Sequence, residues 1–347
     1  MPLAPYTTLG LGGAARYFTE CLSVDAIRHA LDTAAEKTLP VQVLGGGSNT
    51  IFADAGFPGL VMRVALDGLA FDEERGAATV TAGAGVEWDA LVREVVGRGL
   101  TGIECLAGIP GLVGATPMQN VGAYGQEIAQ TLVRVKCLDR MSGREMVFGP
   151  ADCRFGYRTS RFKRGDRDRY VILEVTLRLL SDTRPTVRYP ELARVLAESG
   201  RSLDTVPPAE AVRRVRATVL ALRRKKSMVL DPADPNARSA GSFFLNPVIP
   251  RGEYERLQAA DLAAGGTGIP SYPAPGGVKL PAAWLVEHAG FHKGLRRGGV
   301  GISSHHALAL VNAGGSTAEL LALAAEIEQA VAERFGIHLE REPVLVE

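Results

Sequence analysis

The chain has 347 residues, 46% of them hydrophobic and 22% charged, with a formal net charge of +1. That length allows two or three domains with substantial cores, and the composition is that of a globular protein rather than a disordered or fibrous one. Near-neutral charge points away from a nucleic-acid or membrane-surface partner, no apolar run is long enough to span a membrane, and the opening Met1-Pro-Leu-Ala-Pro-Tyr6 has no signal-peptide character.

Taken in chain order, Ser23 caps a helix that carries Ile27 and Leu31 on its apolar positions. A strand over 39–44 runs into Gly45-Gly-Gly-Ser-Asn49. Strands follow at 60–64 and 77–82, and the second ends in Ala82-Gly-Ala-Gly85 before a helix over about 87–98. Residues 108–125 combine glycines 108, 111, 114, 122 and 125 with prolines 110 and 117. That mixture opposes a helix, yet it is too apolar for a disordered linker. Strands at 132–139, 145–148 and 170–180 complete a strand-rich stretch, and the pattern weakens over 181–208. An amphipathic helix over 209–224 places Val212, Val215, Val219 and Leu222 on one face and ends in Arg223-Arg-Lys-Lys226. That basic end reads equally as a dipole-compensating cap and as a cradle for an anion. A helix over 318–335 opens with the capping-box pattern Ser316-Thr-Ala-Glu319 and stops at Gly336. A last strand is expected over 337–346.

Strand-to-glycine loops let backbone N–H groups approach a ligand and form an anion-binding nest. Three of them within eighty residues point to a large phosphate-containing cofactor, although none matches the G-x-G-x-x-G fingerprint or a Walker loop. The scattered cysteines 21, 105, 137 and 153 form no Cys-x-x-Cys pair, and the six histidines show no ligand spacing. Reduced thiols, a cytoplasmic location and no metal site are therefore expected. His305 and His306 on a strand would face opposite ways.

Three constellations could carry chemistry. Arg158 follows Gly156-Tyr157 in Cys153-Arg-Phe-Gly-Tyr-Arg158, where a turn could aim its guanidinium at a carboxylate; a surface ion pair is the commoner fate of a single arginine. Ser242 stands between Gly241 and two phenylalanines, as a proton donor in a dry site or as a serine bonded to backbone; the G-x-S-x-G elbow is absent. Glu340 lies in Leu339-Glu-Arg-Glu-Pro343, as a polarising carboxylate or as part of an exposed ion-pair strand.

Together with Thr7-Thr-Leu-Gly-Leu-Gly-Gly13 and Gly241-Ser-Phe-Phe-Leu-Asn-Pro247, these motifs in this order resemble the UDP-N-acetylenolpyruvoylglucosamine reductase family nearly end to end. The glycine clusters alone would indicate only the broader vanillyl-alcohol-oxidase-like FAD fold. The resemblance implies an α+β protein with FAD-binding subdomains at 1–60 and 61–205 and a substrate-binding domain at 206–347. It implies non-covalent FAD held by Gly45, Gly46, Gly47, Ser48, Asn49, Gly83, Gly108, Gly111, Gly114, Ala115, Gln119, Asn120, Gly122, Ala123, Tyr124 and Gly125. NADPH would reduce the flavin, and the hydride would pass to UDP-N-acetylglucosamine enolpyruvate, giving the UDP-N-acetylmuramate of bacterial cell-wall synthesis. By the same match Ser242 is the acid, and Arg158 and Glu340 polarise the substrate carboxylate. Tyr189 (the tyrosine of the longer-loop subtype), Lys226 and Asn246 contact the diphosphate, and His306 stands where some relatives carry glutamine. The closing segment offers Glu342 as a second carboxylate, and the register from Phe335 favours Glu340. A monomer is expected. Two further readings are an oxidase on the same fold with another small alcohol, and a flavin- or nucleotide-binding protein without catalysis.

Overall fold

Helices form where apolar periodicity coincides with a cap. The computed structural model describes residues 1–198, 200 and 202–347. In chain order its first elements are β1 (Ala15–Cys21), α1 (Val24–Glu36), β2 (Val41–Leu44), β3 (Thr50–Phe52), β4 (Phe57–Val64), β5 (Leu69–Glu74), β6 (Ala77–Gly83) and α2 (Trp88–Gly97). Next come β7 (Gly122–Ala123), β8 (Gln126–Glu127), β9 (Leu132–Asp139), β10 (Glu145–Phe148), β11 (Tyr170–Leu180), α3 (Pro190–Glu198) and α4 (Pro208–Lys225). The remainder are β12 (Val248–Ile249), α5 (Arg251–Ala263), β13 (Tyr272–Ala274), β14 (Gly277–Lys279), α6 (Ala282–His288), β15 (Arg296–Arg297), β16 (Val300–Ile302), β17 (Leu310–Asn312), α7 (Thr317–Phe335) and β18 (Val344–Val346). The chain is α+β, as the sequence leads one to expect.

Two units divide the chain: one comprises Met1, 15–47 and 58–230, and the other 2–14, 48–57 and 231–347. The first holds a three-stranded sheet ordered β1-β4-β2, with β2 and β4 parallel from Val41↔Leu60 to Leu44↔Arg63. It also holds an antiparallel five-stranded sheet ordered β10-β9-β11-β6-β5. The central strand, β11, pairs Val175 with Ala82 on one edge and Val135 on the other, and successive buried residues from Val171 to Leu173 and from Val175 to Leu177 show that both faces are covered there. Trp88, Leu91 and Val95 of α2 and Val212, Val215 and Val219 of α4 join the same buried core. The helix 208–225 thus packs with the first unit.

The second unit holds the small sheets β12-β14-β13 and β15-β16-β17 and the parallel pair β18-β3. Its core gathers Phe243, Phe244, Leu285, Ile302 and Leu310 against Leu320 and Ile327 of α7. The capping box at Ser316 and Glu319 forms, and Gly336 ends the helix in the left-handed region at φ 70°. Asp54 adds a second cap, accepting from the N–H groups of Thr317 (2.9 Å) and Ala318 (2.8 Å).

Two local expectations fail. The strand over 337–346 shrinks to Val344–Val346, because Ile337–Glu340 find no ladder and Arg341 makes only an isolated bridge to Phe244. His305 and His306 lie in the bend between β16 and β17 and not on a strand. Outside the expected set the structure adds α3, α5 and α6 and the strands β1, β3, β5, β7, β8 and β12 to β17, most of them too short to carry a periodicity of their own.

Candidate active site

In the first unit the three glycine loops converge. A Cβ on Gly46 would lie 2.8 Å from Cα of Gly111, one on Gly114 would lie 2.6 Å from Cβ of Ala84, and one on Gly45 would meet Ala115 at 3.8 Å. The loops are tied by bonds from Gly114 N–H to Ala84 O (3.0 Å), Val113 N–H to Val86 O (2.9 Å) and Trp88 N–H to Gly111 O (3.0 Å). Gly83 has a packing role, since its Cβ would fall 2.4 Å from Leu66 O. Gly47 is buried at φ 62°, and among the described residues neither its N–H nor that of Gly46 meets a protein acceptor. Unsatisfied amides beside converging glycines fit a phosphate group.

The second half of the glycine segment is a hairpin, with Gly122↔Glu127 and Ala123↔Gln126 paired across Tyr124-Gly125. Both turn residues have positive φ, 47° and 85°, the requirement of a tight two-residue turn. Such a conformation is uncommon for tyrosine. Burial pushes the Tyr124 phenol up to about 12. Gln126, outside the expected set, accepts from Cys105 N–H (2.8 Å) and donates to Glu104 (2.8 Å). Glu104 is wholly buried and also accepts from Thr101 (2.9 Å) and Gly102 N–H (2.7 Å). A carboxylate inside the apolar run 103–107 is the signal that would have found it.

Arg158 sits at φ 52° in a turn closed by reciprocal bonds between Gly156 and Thr159, 3.1 and 3.3 Å. Its Nη1 would be 3.6 Å from a Cβ on Gly122, so the guanidinium lies against the hairpin. Asn120 (φ 46°) donates to Gly156 O (3.2 Å) and Glu127 (2.8 Å), while Lys163 reaches Gln119 (3.4 Å) and Arg158 O (3.3 Å). Arg158 is therefore built into the glycine segment.

Beside it, Tyr124 and Tyr189 meet edge to face at 5.2 Å, and Lys226 lies 5.9 Å from the Tyr124 ring centre. Lys226 is paired with Glu191 at 2.6 Å. The basic end of α4 serves neither of its two expected uses uniformly: Arg224 and Lys225 are exposed, Lys226 is ion-paired, and Arg223 is buried.

In the second unit, Gly241 at φ 73° turns the chain so that Phe243 N–H reaches Leu308 O at 2.8 Å. Phe243 and Phe244 are buried, with ring centres 5.3 Å apart, while Ser242 between them and Gly241 is half-buried. The segment pairs antiparallel with the chain end: Glu342 N–H donates to Phe243 O and Leu245 N–H to Glu340 O, both at 2.9 Å. Arg341 forms two bonds to Glu328, 2.6 and 2.8 Å, so it is not the partner of its neighbouring glutamates. Glu340 is exposed, whereas Glu342 is half-buried beside Phe243. Asn49 donates to Glu342 O (3.2 Å). Asn246 Oδ1 accepts from Ala282 N–H (2.8 Å), which anchors the start of α6 and leaves its amide nitrogen for a ligand. His306 Nδ1 accepts from Leu308 N–H (3.0 Å), which leaves Nε2 to carry the proton of the neutral ring.

Comparison with known proteins shows the family. Residues 15–149 match the FAD binding domain family, and residues 232–346 match the C-terminal domain of UDP-N-acetylenolpyruvoylglucosamine reductase. The chain is 49% identical to the UDP-N-acetylenolpyruvoylglucosamine reductase of Thermobifida fusca (strain YX), covering 100% of this chain and 97% of that one. It is 48% identical to the enzyme of that name from Nocardia farcinica (strain IFM 10152), covering 99% and 88%. Among solved structures, UDP-N-acetylenolpyruvylglucosamine reductase from Thermus caldophilus superposes with a TM-score of 0.67 at 27% identity, covering 100% of this chain and 98% of that one. The chain belongs to the UDP-N-acetylenolpyruvoylglucosamine reductase family.

Proposed function

We propose that the protein reduces UDP-N-acetylglucosamine enolpyruvate to UDP-N-acetylmuramate with NADPH, through non-covalently bound FAD, in peptidoglycan precursor synthesis. The observation that carries this reading is the convergence of the Gly46, Ala84 and Gly111–Gly114 loops around unsatisfied amides, with Arg158 built against the same segment. FAD, when bound, carries hydride from NADPH to the enolpyruvyl group. Gly46 and Gly47 N–H groups would hold its diphosphate, and the other cofactor residues would shape the cleft.

The chain's own residues manage charge and proton. Hydride addition to the enolpyruvyl methylene leaves negative charge on the adjacent carbon and its carboxylate, and the Arg158 guanidinium opposes that charge. The left-handed turn sets where the side chain starts, and its guanidinium lies against the Gly122 hairpin. The Ser242 hydroxyl supplies the proton that completes the reduction. A serine hydroxyl is a weak acid, so the neighbouring carboxylate matters. The half-buried Glu342 suits that work better than the exposed Glu340, the residue that the sequence register favours.

Lys226, Tyr189 and Asn246 would hold the UDP diphosphate, and the Nε2 of His306 would donate to the substrate. Subdomain functions divided at 1–60, 61–205 and 206–347, a monomeric state, no nucleic-acid or membrane partner and a cytoplasmic location complete the reading. Among the described residues no helix is long and apolar enough to cross a membrane.

The test is product formation. Protein reconstituted with FAD, NADPH and the UDP-enolpyruvyl sugar should yield one UDP-N-acetylmuramate per NADPH oxidised. NADPH oxidation at the same rate without the sugar would point instead to an oxidase.

A further inference from the structure

Two residues before Arg158 and two residues after it, the chain is tied to the glycine segment. Upstream, Gly156 O accepts from Asn120 Nδ2 at 3.2 Å. Downstream, the Ser160 hydroxyl donates to Met118 O at 2.6 Å. Asn120 and Ser160 are each only 2% exposed, so both ties are shielded from water. Each is held in turn. Asn120 Oδ1 accepts from Ala129 N–H at 3.1 Å, and its amide also donates to Glu127 at 2.8 Å. Ser160 Oγ accepts from Phe162 N–H at 3.1 Å. The buried Phe162 ring packs edge to face on Phe148 and Tyr170, with ring centres 5.7 and 6.3 Å away.

These ties bear on a specific difficulty. Arg158 has φ 52°, a left-handed conformation that a residue with a Cβ disfavours. Such a conformation persists only where the surroundings hold it. The turn's own bonds between Gly156 and Thr159, 3.1 and 3.3 Å, lie toward the long end of the usual range. Asn120, which supplies the upstream tie, is itself left-handed at φ 46°. Lys163 reaches Arg158 O at 3.3 Å, but from a long, flexible side chain. The bond from Ser160 is the shortest of the set and comes from a short, buried side chain. Its one proton is committed to Met118 O, so Ser160 acts on the chemistry only through what it holds.

We propose that Ser160 is a positioning residue: it keeps the Arg158 turn left-handed, and so keeps the guanidinium where negative charge develops on the substrate. The inference rests on the role given to Arg158 above. Without the hydroxyl the turn relaxes toward ordinary backbone, and the guanidinium shifts from its place against the Gly122 hairpin. A misplacement of about 1 Å at such a group costs about 10²-fold in rate. The loss falls on the half-reaction that needs Arg158, the reduction of the enolpyruvyl group, and spares the reduction of flavin by NADPH.

The experiment is a double-mutant cycle followed by rapid-mixing absorbance, on FAD-loaded wild type, Ser160→Ala, Arg158→Ala and the double variant. NADPH should bleach the flavin band of Ser160→Ala at the wild-type rate, while reoxidation by the UDP-enolpyruvyl sugar should slow about 10- to 100-fold. Arg158→Ala should slow reoxidation at least as much. With Arg158→Ala in place, removing the Ser160 hydroxyl should change reoxidation by no more than about twofold, the precision of such a cycle. The same loss in both backgrounds would overturn the proposal, because Ser160 would then act independently of Arg158. Reoxidation of Ser160→Ala at the wild-type rate would overturn it too, as would equal slowing of bleaching and reoxidation. If Arg158→Ala itself reoxidises at the wild-type rate, the role given to Arg158 fails and this proposal with it. If Ser160→Ala does not fold, Ser160→Cys, of similar shape but with only a weak S–H donor, decides on the same readings.

Discussion

Glu340 and Glu342 stand two residues apart, and burial separates them. The first is exposed; the second is half-buried, with its N–H bonded to Phe243 O at 2.9 Å. Glu342→Gln should slow turnover by about 10²–10⁴, the range of a lost acid–base group. Glu340→Gln should stay within about threefold of wild type, as expected of a group away from the reacting atoms. Initial rates at saturating substrates distinguish them, and the reverse order would restore Glu340. Lys226→Ala removes a charged hydrogen bond worth about 1.5–3 kcal/mol. The Michaelis constant for the UDP-sugar should rise roughly ten- to a hundredfold, with that for NADPH nearly unchanged; an unchanged UDP-sugar constant would leave Lys226 as the partner of Glu191 alone.

Tyr124 gives a pH signature. Its phenol is held near 12 in the fold against about 10 in an unfolded chain. Between those values the folded state retains a proton that the unfolded state has lost, so this contribution to stability is complete below about pH 10 and disappears as pH rises toward 12. Tyr124→Phe should therefore flatten the alkaline decline in denaturation midpoint, measured as the difference between variant and wild type; parallel curves would show a phenol of ordinary acidity. None of this was legible in the sequence at residue level. Arg158, Ser242 and Lys226 could be singled out by neighbouring glycines, aromatics and charges, but the split among Arg223, Lys225 and Lys226 depends on which face of α4 is covered.

At the scale of elements, the long regular pieces were readable because each carries its own periodicity and caps. β9, β10 and β11 match the expected bounds residue for residue, and α7 differs by one at its start. The chain end misled because Ile337, Leu339 and the charges between them alternate like a strand while no edge is available to pair with them. The glycine loops were found for the right composition, but part of their purpose is different from ligand approach: Gly46, Gly83 and Gly114 allow chain segments to pack on one another. Gly46→Val should therefore both abolish the flavin absorption band and lower stability, by about 1–3 kcal/mol for an overpacked contact. Gly97→Ala, in α2 with nothing within 4 Å of the new methyl, should keep the flavin and gain up to about 1 kcal/mol. Thermal unfolding with flavin absorbance reports both, and a Gly46→Val protein with full flavin and unchanged melting would contradict the packing role.

For the whole molecule, motif order along the chain was sufficient to indicate the family, because six short segments recur in one sequence at fixed spacing. The interleaving of the units was not legible: residues 2–14 and 48–57 join a unit whose bulk begins at 231. The parallel pairing of β18 with β3 is one example, since Val344–Val346 must find Thr50–Phe52 nearly three hundred residues away. The four cysteines are buried and unpaired, and burial raises each thiol, Cys153 to about 12, which keeps them out of the chemistry. In the proposed two-step redox cycle Ser242 acts only in the second step. Rapid-mixing absorbance separates the steps in wild type and Ser242→Ala. NADPH should bleach the flavin band at similar rates in both, and reoxidation by the UDP-enolpyruvyl sugar should be about 10²–10⁴ slower in Ser242→Ala. Equal slowing of both steps, or reoxidation at the wild-type rate, would contradict it.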